Sequence, residues 1–274
     1  MSSALDFLTE LVDEGAHYST VNTARCALSS LLWTDDHKSG TFGNHPLVVR
    51  FMRGVYNLRP LLPRYSSTWD VSPVLRYISS LEPLNEITLK QLSHKLVSLC
   101  ALTTGQRAQT LSLLNLRNIN IIDGVVKFNI TELVKTSKAN KQQPTVILSM
   151  YSPDKTLCVV RTLLEYIKRT KYIRKDNLKL FLSYVPPHGE VGVETICRWL
   201  KQSLVSSGID VSVFKAHSFR SASTSAAASK GLPVNIILET AGWSNAKTFA
   251  TFYNRSQNKE IPQTVFASTV LGSK

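Results

Sequence analysis

Apolar and polar positions in residues 4–62 alternate with a helical period. In STVNTARCALSSLLW, Val21, Ala24, Leu28, Leu31 and Leu32 share one face after a Ser19/Thr20 cap, which predicts an amphipathic helix. In NHPLVVRFMRGVYN, Pro46 suits a first helical position, and Leu47, Phe51, Met52 and Val55 form an apolar stripe. Residues 1–62 therefore read as a short helical bundle, made basic by Arg50, Arg53 and Arg59. The pattern then breaks in LRPLLPRYSSTWDVSP, where prolines and paired serines predict a linker over 63–70.

The second part, 71–274, mixes periods. In ITLKQLSHKLVSLCALTTG, Leu89, Leu92, Leu96 and Leu99 repeat at helical spacing, and Gly105 supplies a stop. A second helix is predicted from about Gln106 to Leu114. The run GVVKFNITELVKTSKANKQQPTVILS then changes to a strand period around a Lys-rich turn, which is a hairpin pattern. Helices resume in TLCVVRTLLEYIKRT and ETICRWLKQSLVSSG, the latter ended by Gly208, with LKLFLSY between them as a candidate added strand. In LPVNIILETAGWSNAKTFATFYNR, Pro233 opens a helix and Gly242 closes it. Ser244 or Asn245 then caps another, whose apolar face is Phe249 and Phe252. The expected class is mainly α with a small antiparallel β-sheet (α+β).

Charge adds a partner class. Lys plus Arg outnumber Asp plus Glu by 32 to 19, a net +13, so a polyanion such as nucleic acid is the first partner to consider. Cys26, Cys100, Cys158 and Cys197 are widely spaced in apolar, helix-like segments. They form neither a disulfide framework nor a zinc pattern, which points to buried, reduced thiols in an intracellular protein. No stretch approaches the roughly 18 apolar residues of a membrane span. IKRTKYIRK, from Ile167 to Lys175, holds five cations in nine residues, either a solvated helix end or a track for a phosphate backbone.

Two arginines carry more than charge. Arg107, in TTGQRAQTLSLLNL, and Arg220, in HSFRSASTSAAASKG, are both predicted in the first turn of a helix. A cation there opposes the helix dipole. A guanidinium fork beside helix N–H groups is, however, a good phosphate cradle. His217 stands three residues before Arg220. Tyr253 is the one tyrosine after Tyr184, and by itself reads as a partly buried aromatic.

The order of these pieces resembles the tyrosine recombinase (phage integrase) family. The matching stretches are TGQRAQTLSLLNL, the VKTSK hairpin, HSFRSASTSAAASKGLP and AGWSNAKTFATFYNR. Gly-Trp in place of the commoner Gly-His looks most like recombinases of eukaryotic mobile elements of the DIRS type. The resemblance implies a helical core-binding domain at 1–62 and a catalytic domain at 71–274. It implies Tyr253 as nucleophile, Arg107 and Arg220 on the non-bridging oxygens, and His217 in phosphate contact and proton transfer. Lys135 would protonate the departing oxygen, with Lys138 as the runner-up, and Trp243 would donate its indole N–H. Double-stranded DNA is the implied partner, bound by a homo-tetramer with one dimer per site. The C-terminal segment, with Val265, Phe266, Val270 and Leu271, docks either on a neighbour as an exchange helix or on its own domain. No metal or other cofactor is implied, because fixed cations serve in-line phosphoryl transfer. The location is the nucleus in a eukaryote, otherwise cytoplasm or nucleoid. One position departs from the family: an acid is common three residues after the first arginine, and here it is Thr110. That keeps a DNA-binding relative without chemistry open. A type IB topoisomerase shares the same residue logic.

Overall fold

The computed structural model describes residues 2–32, 40–60, 67–135, 137–140, 142–243, 246, 249–250 and 253. The chain divides into two compact units, Met1–Arg64 and Tyr65–Lys274.

In the first unit, α1 (Ser2–Asp13), α2 (Tyr18–Leu31) and α3 (Pro46–Leu58) enclose a core of Leu8, Val21, Phe42, Val48, Met52 and Val55. The buried face of α3 is turned one position from the stripe expected. Val48, Met52 and Val55 face inward and Leu47 is 54% exposed. Apolar residues at 47, 48 and 49 offer more than one stripe of helical spacing, and packing selects one. Likewise α2 starts after His17 with no side-chain cap bond, not at a Ser19/Thr20 cap, and Leu31 and Leu32 at its end are exposed. Arg59 donates from Nη1 to the carbonyls of Val12 (2.7 Å) and Ala16 (2.8 Å), fastening the corner after α1. Arg50 and Arg53 remain exposed.

The second unit is built around α5 (Leu89–Thr104), which packs against α7 (Val159–Thr170), α8 (Val193–Ser206) and α9 (Ser218–Ser229). Thr88 and Gln91 form a reciprocal capping box at the start of α5, and Gly105 ends it in the left-handed region at φ 58°. A helix buried on all sides must satisfy its polar groups internally. Ser98 Oγ donates to Ser203 Oγ (2.9 Å). Lys95, fully buried, donates to Leu81 O (2.9 Å) and to Glu82 (2.8 Å), which also receives a two-pronged bond from Arg161 (2.8 and 3.0 Å). Two shorter helices, α4 (Ser72–Ser80) and α6 (Ala108–Ser112), flank α5 in sequence, and α10 (Val234–Ala241) packs on α9.

The sheet has three antiparallel strands in the order β1 (Ile119–Ile122), β2 (Val125–Asn129), β3 (Thr145–Ser149). Val126, Phe128, Val146 and Leu148 point to the core while the alternating residues face out. The hairpin pattern located β2 and β3 but missed β1, whose signal is the Asp123-Gly124 turn with φ of 48° and 76°. LKLFLSY joins no strand of this sheet: Lys179 and Leu182 make isolated bridges to Asn115 and Glu190. The architecture is mainly α with one small antiparallel sheet.

Two readings based on composition change direction. Within IKRTKYIRK, Arg169 donates to Leu84 O and Ile87 O, and Arg174 is buried against the carbonyls of Lys179 and Leu180. These two cations hold the fold, Arg174 buried and Arg169 partly buried, which leaves Lys168, Lys171 and Lys175 as the exposed ones. All four cysteines are free, but Cys26 is exposed and Cys197 half-exposed, because the helical face of each segment, not its average hydropathy, decides burial. Among the described residues, no helix is long and apolar enough to cross a membrane. Ser244, Asn245, Phe252 and the C-terminal apolar set Val265, Phe266, Val270 and Leu271 lie outside the described residues.

Candidate active site

Arg107 is not in the first turn of a helix, as its sequence context predicts. It is the N-cap of the short α6, with extended backbone at φ −76° and ψ 151°. The turn Gly105-Gln106-Arg107 separates α5 from α6. Gly105 is constrained twice there: its φ is positive, and a Cβ would meet Thr224 Cγ2 at 3.3 Å and Ala241 Cβ at 3.4 Å. The close approach of α9 and α10 to this turn thus depends on a residue without a side chain. Gln106 reinforces it, donating from Nε2 to Thr240 O (2.9 Å) near the end of α10.

Arg220 lies in the first turn of α9, with His217 as N-cap. It is 2% exposed. Its Nη1 donates to Gly105 O (2.6 Å), while Nε and Nη2 are buried without a hydrogen-bond partner. Burial, and then the charge of Arg107, push its guanidinium down to about 10, and Tyr253 beside it opposes part of that shift. It remains a cation at neutral pH.

Aromatic rings close over this cation. Gly242 ends α10 in the left-handed region at φ 68° and turns the chain so that Trp243 covers Arg220, with Cζ 4.1 Å from the ring. Tyr253 lies 5.7 Å from the same Cζ, 4.5 Å from the Trp243 ring and 6.1 Å from the His217 ring. Phe249, buried, supports Trp243 at 5.6 Å. Five of the residues predicted for the site, Arg107, His217, Arg220, Trp243 and Tyr253, are therefore gathered at one place.

Lys135 and Lys138 are exposed on the loop between β2 and β3. Lys135 is tied toward the site by its backbone, whose N–H donates to Gln109 Oε1 on α6 (3.2 Å). Thr110 is 3% exposed on α6, beneath the Arg107 turn. Glu132 does not replace the missing acid, since it pairs with Lys179. A cavity of about 190 Å³ separates the β2–β3 loop from α10, lined by Gln106, Ser137, Gln143, Glu239 and Trp243 among others.

Sequence reasoning missed several supports of this site. Ser225 on α9 donates its hydroxyl to the Tyr253 carbonyl. Gln106, next to Arg107, donates to Thr240 O, and Gln109 accepts from the Lys135 N–H. The periodicity gives no signal for Gln106, Gln109 or Ser225, because the contacts seen are directed hydrogen bonds rather than apolar packing.

Residues 79–260 match the phage integrase family. The chain belongs to that family. No curated protein matches the sequence. The phage integrase fold recurs in solved structures of low identity. The XerH site-specific recombinase in a pre-cleavage complex with difH is similar over 89% of this chain and 64% of that one, at 13% identity and a TM-score of 0.56. This chain thus spans less than two thirds of that XerH chain. A lambda integrase dimer bound to a COC′ core site is similar over 94% and 81%, at 16% identity and 0.54. The Tn1549 transposon integrase in complex with transposon right end DNA is similar over 99% and 85%, at 16% identity and 0.62.

Proposed function

We propose that this phage integrase family member is a site-specific DNA recombinase that cuts and rejoins double-stranded DNA through a 3′-phosphotyrosyl intermediate. The observation that carries the proposal is the open edge of Arg220. Nε and Nη2 lie side by side on one edge of the guanidinium, the pair that grips two oxygens of one phosphate. Both are buried and unpartnered, while Nη1 is already used on Gly105 O. A buried donor left without an acceptor costs about 1–3 kcal/mol, so a fold that retains two of them is prepared for an anion. The Tyr253 ring lies 5.7 Å from the Arg220 Cζ.

In this reading Arg220 and Arg107 hold the non-bridging oxygens of the scissile phosphate, and Trp243 donates its indole N–H there. Tyr253 Oη attacks phosphorus and gives its proton to His217. The bond from phosphorus to the 5′ oxygen breaks, and that oxygen takes a proton from Lys135, or from Lys138 on the same loop. The phosphotyrosyl bond conserves the energy of the broken one, so a 5′-hydroxyl can reverse the step. Positioned cations supply the electrostatic stabilisation that phosphoryl transfer requires. The exposed Lys168, Lys171 and Lys175 add non-specific attraction for the DNA backbone. The enzyme acts for a mobile element, of the DIRS type if its source is eukaryotic, and then in the nucleus. The assembly is a homo-tetramer on DNA, one dimer per site, joined through the C-terminal segment. Residues 1–62 form the core-binding domain.

The test is a nicked suicide duplex carrying the DNA ends that flank the coding region. Wild type gives a covalent protein–DNA band on a denaturing gel, and Tyr253→Phe gives none. An adduct that persists in Tyr253→Phe removes the nucleophile. Binding without any adduct supports the non-cutting relative, with Thr110 the first residue to restore to Glu. Site-independent relaxation of supercoils by a monomer points to a topoisomerase.

A further inference from the structure

The start of α9 carries His217 and Arg220, yet no side chain caps it. The two residues between them are held from outside. Trp69 Nε1 donates to Ser218 Oγ at 2.8 Å, and the Trp69 ring meets Phe219 edge-on at 5.1 Å and 76°. All three residues are buried: Trp69 is 4% exposed, Ser218 1% and Phe219 2%. Trp69 precedes α4 and lies in a stretch whose prolines and serines read as linker, but the indole is part of the core of the second unit.

We propose that Trp69 is a positioning residue for the cleavage step, acting through Ser218 and Phe219 to fix where His217 and Arg220 stand. This rests on the recombinase reading above. Core packing alone would be met by any ring against Phe219. The indole N–H adds a direction, because its acceptor is the first residue of α9 and lies next to His217 in the chain. A hydrogen bond fixes the position of a helix end along the helix, where apolar contact leaves it free to slide. Arg220 needs that precision, since its guanidinium must meet Gly105 O on one edge and a phosphate on the other. Displacing a reacting group by about 1 Å costs up to about 100-fold in rate.

The experiment separates position from packing. Trp69→Phe keeps a ring against Phe219 and deletes the donor, and Ser218→Ala deletes the acceptor. The full chain is assayed in single turnover on saturating nicked duplex, with DNA affinity measured separately by gel shift. Each single variant should slow adduct formation about tenfold, as expected for one lost hydrogen bond near 1.4 kcal/mol. Affinity should stay within about twofold, and the double variant should be no slower than the slower single one by more than about twofold. Two results overturn the proposal: unchanged rates on bound DNA with only a lower melting temperature, or losses that multiply in the double variant. If wild type forms no adduct, the recombinase reading fails. Positioning is then decided by NMR, where Trp69→Phe must shift the His217 ring and Arg220 Nε–H signals. Unmoved signals overturn it.

Discussion

Arg174 and Arg220 are both buried guanidinium groups in the second unit, and the fold treats them in opposite ways. Arg174 is surrounded by acceptors. Its Nη1 donates to Lys179 O, and its Nη2 donates to Thr170 Oγ1 (2.7 Å) and Leu180 O (3.1 Å). Only its Nε lacks a partner. Arg220 donates from Nη1 to Gly105 O, its buried Nε and Nη2 have no close hydrogen-bond acceptor among the described residues, and the Trp243 and Tyr253 rings lie 4.1 and 5.7 Å from its Cζ. Burial pushes both cations down from the usual arginine range, but Arg220 also faces a second cation, Arg107. A saturated buried arginine ties chain segments together. An unsaturated one, repelled by a neighbour of like charge, would gain stability from an added anion.

The largest expected effect of that difference is on chemistry. Arg220→Lys loses the two-pronged edge while keeping the charge, and cleavage on bound DNA should fall by about 100-fold or more. Arg174→Lys should leave that rate unchanged. Stability should reverse the order. Arg174→Met removes a hub of several hydrogen bonds and should lower the urea unfolding free energy by about 3 kcal/mol, whereas Arg220→Met should cost no more than about 1 kcal/mol because it also relieves a poorly compensated buried charge. Equal losses at the two sites would erase the distinction.

A buried base outside both regions gives a pH signature. His94 is 4% exposed, packed among Tyr184 and Trp199, and its Nε2 has no partner. Burial first, and the Lys90 charge second, push it down from 6.5 to about 4. The folded state therefore binds fewer protons than the unfolded state between those values. Stability from this group is complete above about pH 6.5 and is lost as pH falls toward 4, by at most about 3 kcal/mol. His94→Phe should flatten that part of the stability–pH curve. A curve of unchanged shape would show that His94 does not titrate as its surroundings require.

The smallest effect is expected at Gln109. Gln109→Ala frees the backbone of Lys135 and should slow cleavage about threefold, the size of a weak hydrogen bond to an exposed loop. No change would separate that loop from the chemistry.

The contrast between the arginines also marks how far the sequence can be read. Leucine spacing located α5 and its Gly105 stop, because a periodic apolar face and a left-handed cap are local properties. The ordered motifs gathered Arg107, His217, Arg220, Trp243 and Tyr253, and these five do meet. Direction was not legible. Arg169 and Arg174 count as surface charge in IKRTKYIRK, yet their donors turn inward to carbonyls contributed by distant or later residues. Trp69 sits among prolines and serines that mimic a linker, and its partner is 149 residues away. Gly105, two residues before the Arg107 N-cap, lies close against Thr224 on α9 and Ala241 on α10, and no local pattern encodes that approach. Charge, period and turn chemistry are written along the chain, whereas the acceptor of a hydrogen bond is chosen by the fold.

The most direct test of the account is to locate the covalent bond. The adduct from the nicked duplex is digested with protease and nuclease, and the nucleotide-bearing peptide is sequenced by tandem mass spectrometry. A single peptide containing Tyr253, joined through a 3′-phosphate, is expected, with the adduct reduced by about 100-fold or more in Arg220→Lys. A nucleotide on any other residue, or a bond through a 5′-phosphate, would contradict the account.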